Sequence, residues 1–353
     1  MVVVRGVHQV LAGAVPFDAI TRHALAAREV IRGMGLRSEI LCEAAHIDGT
    51  LAGDVLPDAA WERIAEPDDV AILHYSIASP AFDRVLERCG SAAIHYHNIT
   101  PAELLWRFAP AIARECAAGR RRLAELADRV DHAAADSAFN AEELTALGFP
   151  ETAVVGVLRR PRPPAEAHAR DGGPARLLFV GRGIPNKAQH DLVLALAAMR
   201  HTPLDAQLTL IGAWGGAEAY EAHCRELAAR LRLGDRLRIL GPVDDATLAQ
   251  AYAGADLFLC LSDHEGYCVP VVEAMEAGLP VVAYAAGAVP ETLARGGLLL
   301  DDKAPSLVAE AVAETLRNDA LRARMADGRR EQLAELSQEA TAARLRAFAA
   351  TLT

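Results

Sequence analysis

The segment 257–284, LFLCLSDHEGYCVPVVEAMEAGLPVVAY, constrains the fold more than any other part of the chain. Its two short apolar runs, 257–261 and the one closing at Tyr284, have the length and composition of buried strands, and a helix at 270–277 separates them. Two strands joined through a helix lie parallel, so the chain is committed to an open α/β sheet with its loops at the strands' carboxyl ends. Pro270 suits the first helical turn, where a missing N–H costs nothing, and Gly278 ends the helix. Backbone N–H groups at Cys268, Val269, Val271 and Val272 then point out of a helix N-terminus beside a strand end, an arrangement that receives phosphate.

Two carboxylates flank that anion site, Glu265 in the loop and Glu273 in the helix. Neither can bind phosphate directly, because like charges repel; a carboxylate there accepts hydrogen bonds from hydroxyls of a ribose or a sugar ring. A nucleotide-sugar needs that pairing. The plainer alternative makes Glu265 a loop charge and Glu273 part of a solvated helix face.

Elsewhere the same alternation recurs. Strands are expected at 7–11, 37–42, 70–75, 91–96, 131–137 and 154–158, with helices at 17–34, 102–130 and 140–147 and an irregular acidic stretch at 43–69. Residues 159–175, RRPRPPAEAHARDGGPA, hold four prolines and a Gly-Gly pair without apolar periodicity, and read as a hinge. The pattern restarts at 177–182 and runs through helix 189–199, strand 207–212, helix 218–231 and strand 237–241. A last strand at 296–300 and three helices follow. This predicts an amino-terminal Rossmann-like domain over 1–165, a second over 174–337, and a terminal helix over 338–353.

The strand at 177–182 opens into a loop with Gly181, Arg182 and Lys187. A planar guanidinium and an ammonium at a strand mouth suit a diphosphate, although two surface cations would read the same. Gly13, after the first strand, is either a tight turn or a close backbone approach to a ligand. His95 and His97 share a face of their strand, and His97, at its end, is expected to project into a cleft, where it can bond a sugar hydroxyl or carry a proton. His74 and His95 read as satisfied core imidazoles, and Trp214 and Tyr252 as packing. Arg120, Arg121 and Arg122 form either a solvated helix face or a contact to anionic lipid.

The net charge of −11 opposes general nucleic-acid binding, since a polyanion is repelled at long range. Six scattered cysteines without C-x-x-C spacing read as reduced thiols, no apolar run reaches membrane-span length, and the amino terminus lacks a secretion signal; a cytoplasmic protein is expected.

The run HEGYCVPVVEAMEAGLPVVAY resembles the E-x7-E signature of the retaining glycosyltransferases of family 4, and Arg182-x4-Lys187 resembles the donor clamp of that family. Cys268 stands where many members carry glycine; the CVP run and IHYHNITPAELL are similar to a subgroup from bacterial polysaccharide clusters. The resemblance implies a GT-B fold, two Rossmann-like domains facing across a cleft with the last helix crossing back to the first. It implies that Glu273 binds the donor ribose, that Glu265 faces the transferred sugar, that Arg182 and Lys187 clamp the diphosphate, and that His97 lines the cleft opposite the donor sugar. Gly13, Gly181, Val243, Gly266, Tyr267, Cys268 and Val269 complete the donor contacts expected. The implied reaction moves a hexosyl unit, mannosyl by resemblance alone, from a GDP- or UDP-linked sugar to an acceptor hydroxyl with retention and without metal. The acceptor is a saccharide, a glycolipid or a small molecule such as an aminocyclitol, with peripheral membrane contact in the glycolipid case. A nucleotide-sugar epimerase and a non-catalytic nucleotide-sugar binding protein are the rival readings.

Overall fold

The computed structural model describes residues 4–159 and 172–353. The proline-rich stretch read as a hinge falls mostly on 160–171, outside the described residues. The chain forms two compact units: residues 1–99, 115–160 and 336–353 make the first, and 100–114 with 161–335 make the second.

In the first unit, strands β1 (Val7–Leu11), β2 (Ile40–Cys42), β3 (Val55–Pro57), β4 (Val70–Tyr75), β5 (Ser91–Tyr96), β6 (His132–Ala135) and β7 (Thr152–Val154) form one parallel sheet in the order β3-β2-β1-β4-β5-β6-β7. The second unit repeats the plan with β8 (Ala175–Val180), β9 (Ala206–Ile211), β10 (Leu237–Leu240), β11 (Leu257–Cys260), β12 (Val281–Tyr284) and β13 (Leu298–Leu300), ordered β10-β9-β8-β11-β12-β13 and all parallel. Each sheet reverses its winding once, between β1 and β4 and between β8 and β11. Loops leaving the carboxyl ends there diverge and open a crevice.

Strands β4 and β11 are buried at every residue on both faces, as parallel strands covered by helices must be. The Gln338–Thr351 helix belongs to the first unit: Ala342, Leu345 and Phe348 join Val7, Ile31 and Ile72 in one buried cluster. Burying three such side chains contributes on the order of 5 kcal/mol before entropy is subtracted.

Three expectations change. The single helix at 102–130 is a 3-10 turn at Ala102–Leu104 and a helix at Pro110–Leu126, because Pro110 can begin a helix but not continue one. Phe108, Ala109 and Ile112 pack with Trp214, Tyr220 and Cys224 of the second unit, to which 100–114 belongs. The irregular stretch at 43–69 contains edge strand β3, where Pro57 is tolerated because one side has no ladder to feed. Residues 155–158 lie beyond β7 and are not strand; the N–H of Leu158 instead donates to Nδ1 of His23 (2.9 Å). Among the described residues no helix is long and apolar enough to cross a membrane.

Candidate functional site

In the second unit the loops after β8 and β11 leave from the point where the winding reverses, and they are stitched together. The Asp263 N–H donates to the Asn186 carbonyl (2.8 Å), and the Asn186 amide donates to the His264 carbonyl (3.3 Å). Across that seam, Nζ of Lys187 lies 2.7 Å from both carboxylate oxygens of Glu265. The carboxylate is 7% exposed and the ammonium 22%. Burial works against the lysine's charge, but the Glu265 carboxylate outweighs it, so Lys187 is held above its ordinary pKa and stays protonated at neutral pH.

Glycine makes this approach feasible. Gly287 sits at φ +56°, and a Cβ there would lie 2.3 Å from the Glu265 carbonyl oxygen, whose neighbour Ala288 donates its N–H to that same oxygen (2.9 Å). Gly183 lies under the Trp214 ring, where a Cβ would meet ring carbon at 2.0 Å. The buried indole therefore packs on the loop that carries Arg182.

Cys268 caps the Val269–Glu276 helix in the left-handed conformation (φ +64°, ψ +61°), with Pro270 in the first turn. Thr292 anchors the preceding residue by donating to the Tyr267 carbonyl (2.6 Å). The helix N-terminus is thus fixed beside the Lys187–Glu265 pair. Lys303, from the loop after β13, bonds Asp191 (2.6 Å) and Asp263 (2.5 Å) and holds the β11 loop from behind.

Lys187, Glu265, Gly266, Tyr267, Cys268 and Val269 are therefore brought together on two stitched loops and one helix end. Gly181 begins the first loop, its N–H donating to the Ile211 carbonyl (2.9 Å). Arg182 is exposed, and its guanidinium donates to the Gly215 carbonyl (3.1 Å) rather than to an acidic group of this site. Glu273, one turn into the helix, accepts from the hydroxyl of Tyr252 (3.0 Å), which is itself buried. Val243 is half-buried in the loop between β10 and the helix that Asp244 caps.

The first unit holds a second cluster at its own reversal point. His74 ends β4 beside Leu11 and His95, and His97 follows β5. His97 does not project outward: Nδ1 meets Asp136 (2.9 Å), Nε2 meets Nδ1 of His74 (2.8 Å), and the side chain is 2% exposed. Proton positions follow from the partners. Gln9 donates its amide to the Ala24 carbonyl (3.1 Å), so its Oε1 faces His74 and must accept from Nε2–H (2.9 Å). Burial lowers the pKa of His23, His74 and His95, and although burial raises that of Asp136, His97 and His95 outweigh it and keep the carboxyl well below its usual range. His97 faces Asp136 with both carboxylate oxygens in reach. Gly13 is exposed in the loop after β1, with open space where a Cβ would stand. Of the basic run, Arg120 pairs with Glu143 and Arg122 with Asp83 and Glu125.

Residues 165–332 match the family model described as glycosyl transferases group 1. The D-inositol 3-phosphate glycosyltransferase of Thermobispora bispora is 30% identical over 327 residues, covering 86% of this chain and 76% of that protein. The chain belongs to the group 1 glycosyl transferases. Another relative of this group 1 member is the GDP-mannose-dependent alpha-(1-6)-phosphatidylinositol monomannoside mannosyltransferase of Mycobacterium tuberculosis, 34% identical over 170 residues, covering 44% of this chain and 43% of that protein. The chain spans only 40 to 43% of the length of several such relatives. Among solved structures, the sucrose-phosphate synthase of Thermosynechococcus elongatus superposes with a TM-score of 0.77 over 99% of both chains at 18% identity, which establishes the GT-B type of fold.

Sequence reasoning missed Gln9, His23 and Asp136 around His97, and Lys303 with Asp191 and Asp263 behind the Glu265 loop. Asp136 and Lys303 each follow a strand's carboxyl end, which was the available signal.

Proposed function

We propose that this group 1 glycosyl transferase moves a hexosyl unit from a nucleotide diphosphate sugar to an acceptor hydroxyl with retention of configuration, the donor being GDP-mannose and the product a surface polysaccharide or glycolipid. The observation that carries the reading is the Lys187–Glu265 pair fixed at the N-terminus of the Val269–Glu276 helix. An ammonium has three N–H donors, and Glu265 engages two at most, so a third is available to a leaving phosphate. Glu265 in turn keeps lone pairs for sugar hydroxyls. The helix end and Arg182 add positive potential where the diphosphate's charge develops, usually the largest catalytic contribution. Glu273 receives the ribose hydroxyls. With cations and a helix end on the leaving group, metal is dispensable in this reading, and the departing phosphate takes the acceptor's proton in a front-face attack.

In this scheme His97, buried between His74 and Asp136, belongs to the acceptor-side domain and acts through that network. The name of the mycobacterial relative supports the GDP-mannose donor. A second reading, a small cyclitol phosphate as acceptor, is favoured by the inositol phosphate relative, which matches across most of the chain.

A thermal-shift panel of the purified protein against GDP, UDP, ADP and dTDP and their sugars, with and without EDTA, tests the reading. A ligand that binds the native state raises Tm by mass action. A shift with GDP and GDP-mannose that survives EDTA is expected; no shift with any nucleotide overturns the donor site.

A further inference from the structure

The thiols of Cys260 and Cys268 take no part in the scheme above, yet they are placed with care. Cys260 ends β11 and Cys268 caps the next helix, both are buried, and their sulfurs lie 3.9 Å apart. Among the described residues Cys268 is one of five non-glycine residues with positive φ. That conformation costs an L-residue about 1 kcal/mol or more that glycine avoids, so the thiol is kept at a position where a side chain is a burden. The sulfurs also adjoin the Glu265 carboxylate, a trio with the spacing of metal ligands. Lys187 bonds both oxygens of Glu265, and the Cys260 sulfur meets the Ser262 hydroxyl (3.5 Å) as well as the sulfur of Cys268.

We infer that Cys260 and Cys268 form a reversible disulfide that switches the donor site off. Closure proceeds by exchange with a low-molecular-weight disulfide. One protein thiolate attacks it and releases a thiol, the second protein thiol then attacks the mixed disulfide, and the product is one protein disulfide and two small thiols. The S···S separation falls from 3.9 Å to the bonded length of about 2.05 Å. The movement is drawn from the Cys268 end, because β11 is held in the ladder between β8 and β12. Residues 261–267, including Glu265, are enclosed in the ring that forms. A displacement of about 1 Å in catalytic groups lowers turnover about 100-fold, so oxidation is expected to reduce it by at least tenfold. This consequence rests on the transferase reading; the bond itself does not.

The whole protein is incubated anaerobically in buffers of graded oxidised and reduced glutathione, the remaining thiols are alkylated after denaturation, and the digest is mapped by mass spectrometry. A peptide linking Cys260 to Cys268 is expected, with the other four of the six cysteines alkylated. GDP-mannose turnover falls as that peptide appears and returns with dithiothreitol. Cys260→Ala keeps the reduced-state turnover and loses the sensitivity; should it fold poorly, Cys260→Ser serves instead. Absence of the linked peptide under oxidising conditions overturns the inference, as does a linked protein of unchanged turnover or a Cys260 variant inactivated equally. If the reduced protein turns over no nucleotide-sugar, the transferase reading fails while the peptide map still decides the bond.

Discussion

Replacing Lys187 by Met keeps the length and apolar stem of the side chain and deletes only the ammonium. The Glu265 carboxylate, 7% exposed, loses a partner 2.7 Å from each oxygen. Removing one member of a fully buried pair costs 3–5 kcal/mol; the ammonium here is 22% exposed, and discounting for that leaves about 2–4 kcal/mol. For a unit of this size that lowers Tm by roughly 4–16 °C. The loss should be constant through neutral pH: the folded-state pKa of Lys187 is raised, so its stabilisation is fully present below its unfolded value of about 10.4 and fades only as pH rises through the folded one. In the proposed reaction turnover should fall about 100-fold or more, because the ammonium that would face the leaving phosphate is lost.

The double variant Lys187→Met/Glu265→Gln separates the two effects. With both charges gone most of the lost Tm returns, since replacing a whole buried pair is nearly neutral, while turnover stays low. Differential scanning fluorimetry and a coupled assay of nucleoside diphosphate release measure each quantity. A single variant with wild-type Tm, or a double variant with restored turnover, refutes the reasoning.

Three further outcomes are expected. Gly287→Ala places a Cβ 2.3 Å from the Glu265 carbonyl at a φ unfavourable to alanine, so the loop must shift by about 1 Å and turnover should drop about 100-fold; unchanged kinetics in a folded variant would show that Glu265 needs no such placement. Glu273→Ala should weaken donor affinity by roughly 10- to 150-fold, the range of charged hydrogen bonds, with little change in kcat; calorimetry with an unchanged Kd would remove Glu273 from the ribose site. His23 and His74 are kept neutral by burial well below their ordinary pKa, so the unfolded chain binds the extra protons as pH falls below about 6.5. Each then costs up to about 1.4 kcal/mol per pH unit, and a Tm that does not decline between pH 6.5 and 5 would contradict their buried, neutral state.

Strand positions were legible because buried parallel strands are short apolar runs punctuated by glycine and proline, and β1, β4 and β5 begin and end where the pattern does. The loops bearing Lys187 and Glu265 were legible for a related reason: each follows such a run directly. Their contact was not, since 78 residues separate them and nothing local encodes which strands become neighbours. A separation of 39 residues likewise hid Asp136 from His97. Sequence placed His97 at a strand end and expected it to face outward, but alternation along a strand says nothing about what waits on the chosen face. The break before Pro110 was visible as a proline, and only the packing of Phe108 and Ile112 explains which unit the preceding residues serve.

The first unit is discontinuous in sequence, closed by the Gln338–Thr351 helix whose Leu345 and Phe348 complete its core. During synthesis at about 5–20 residues per second, roughly 10–35 s pass between the emergence of residue 160 and that of residue 336. Throughout that interval the groove between Ile31 and Ile72 lacks its cover, and the second sheet gains its last strand, Leu298–Leu300, before the covering helix appears. The unit encoded first is thus the last to finish, and a nascent chain stalled near residue 330 would present an apolar face to chaperones.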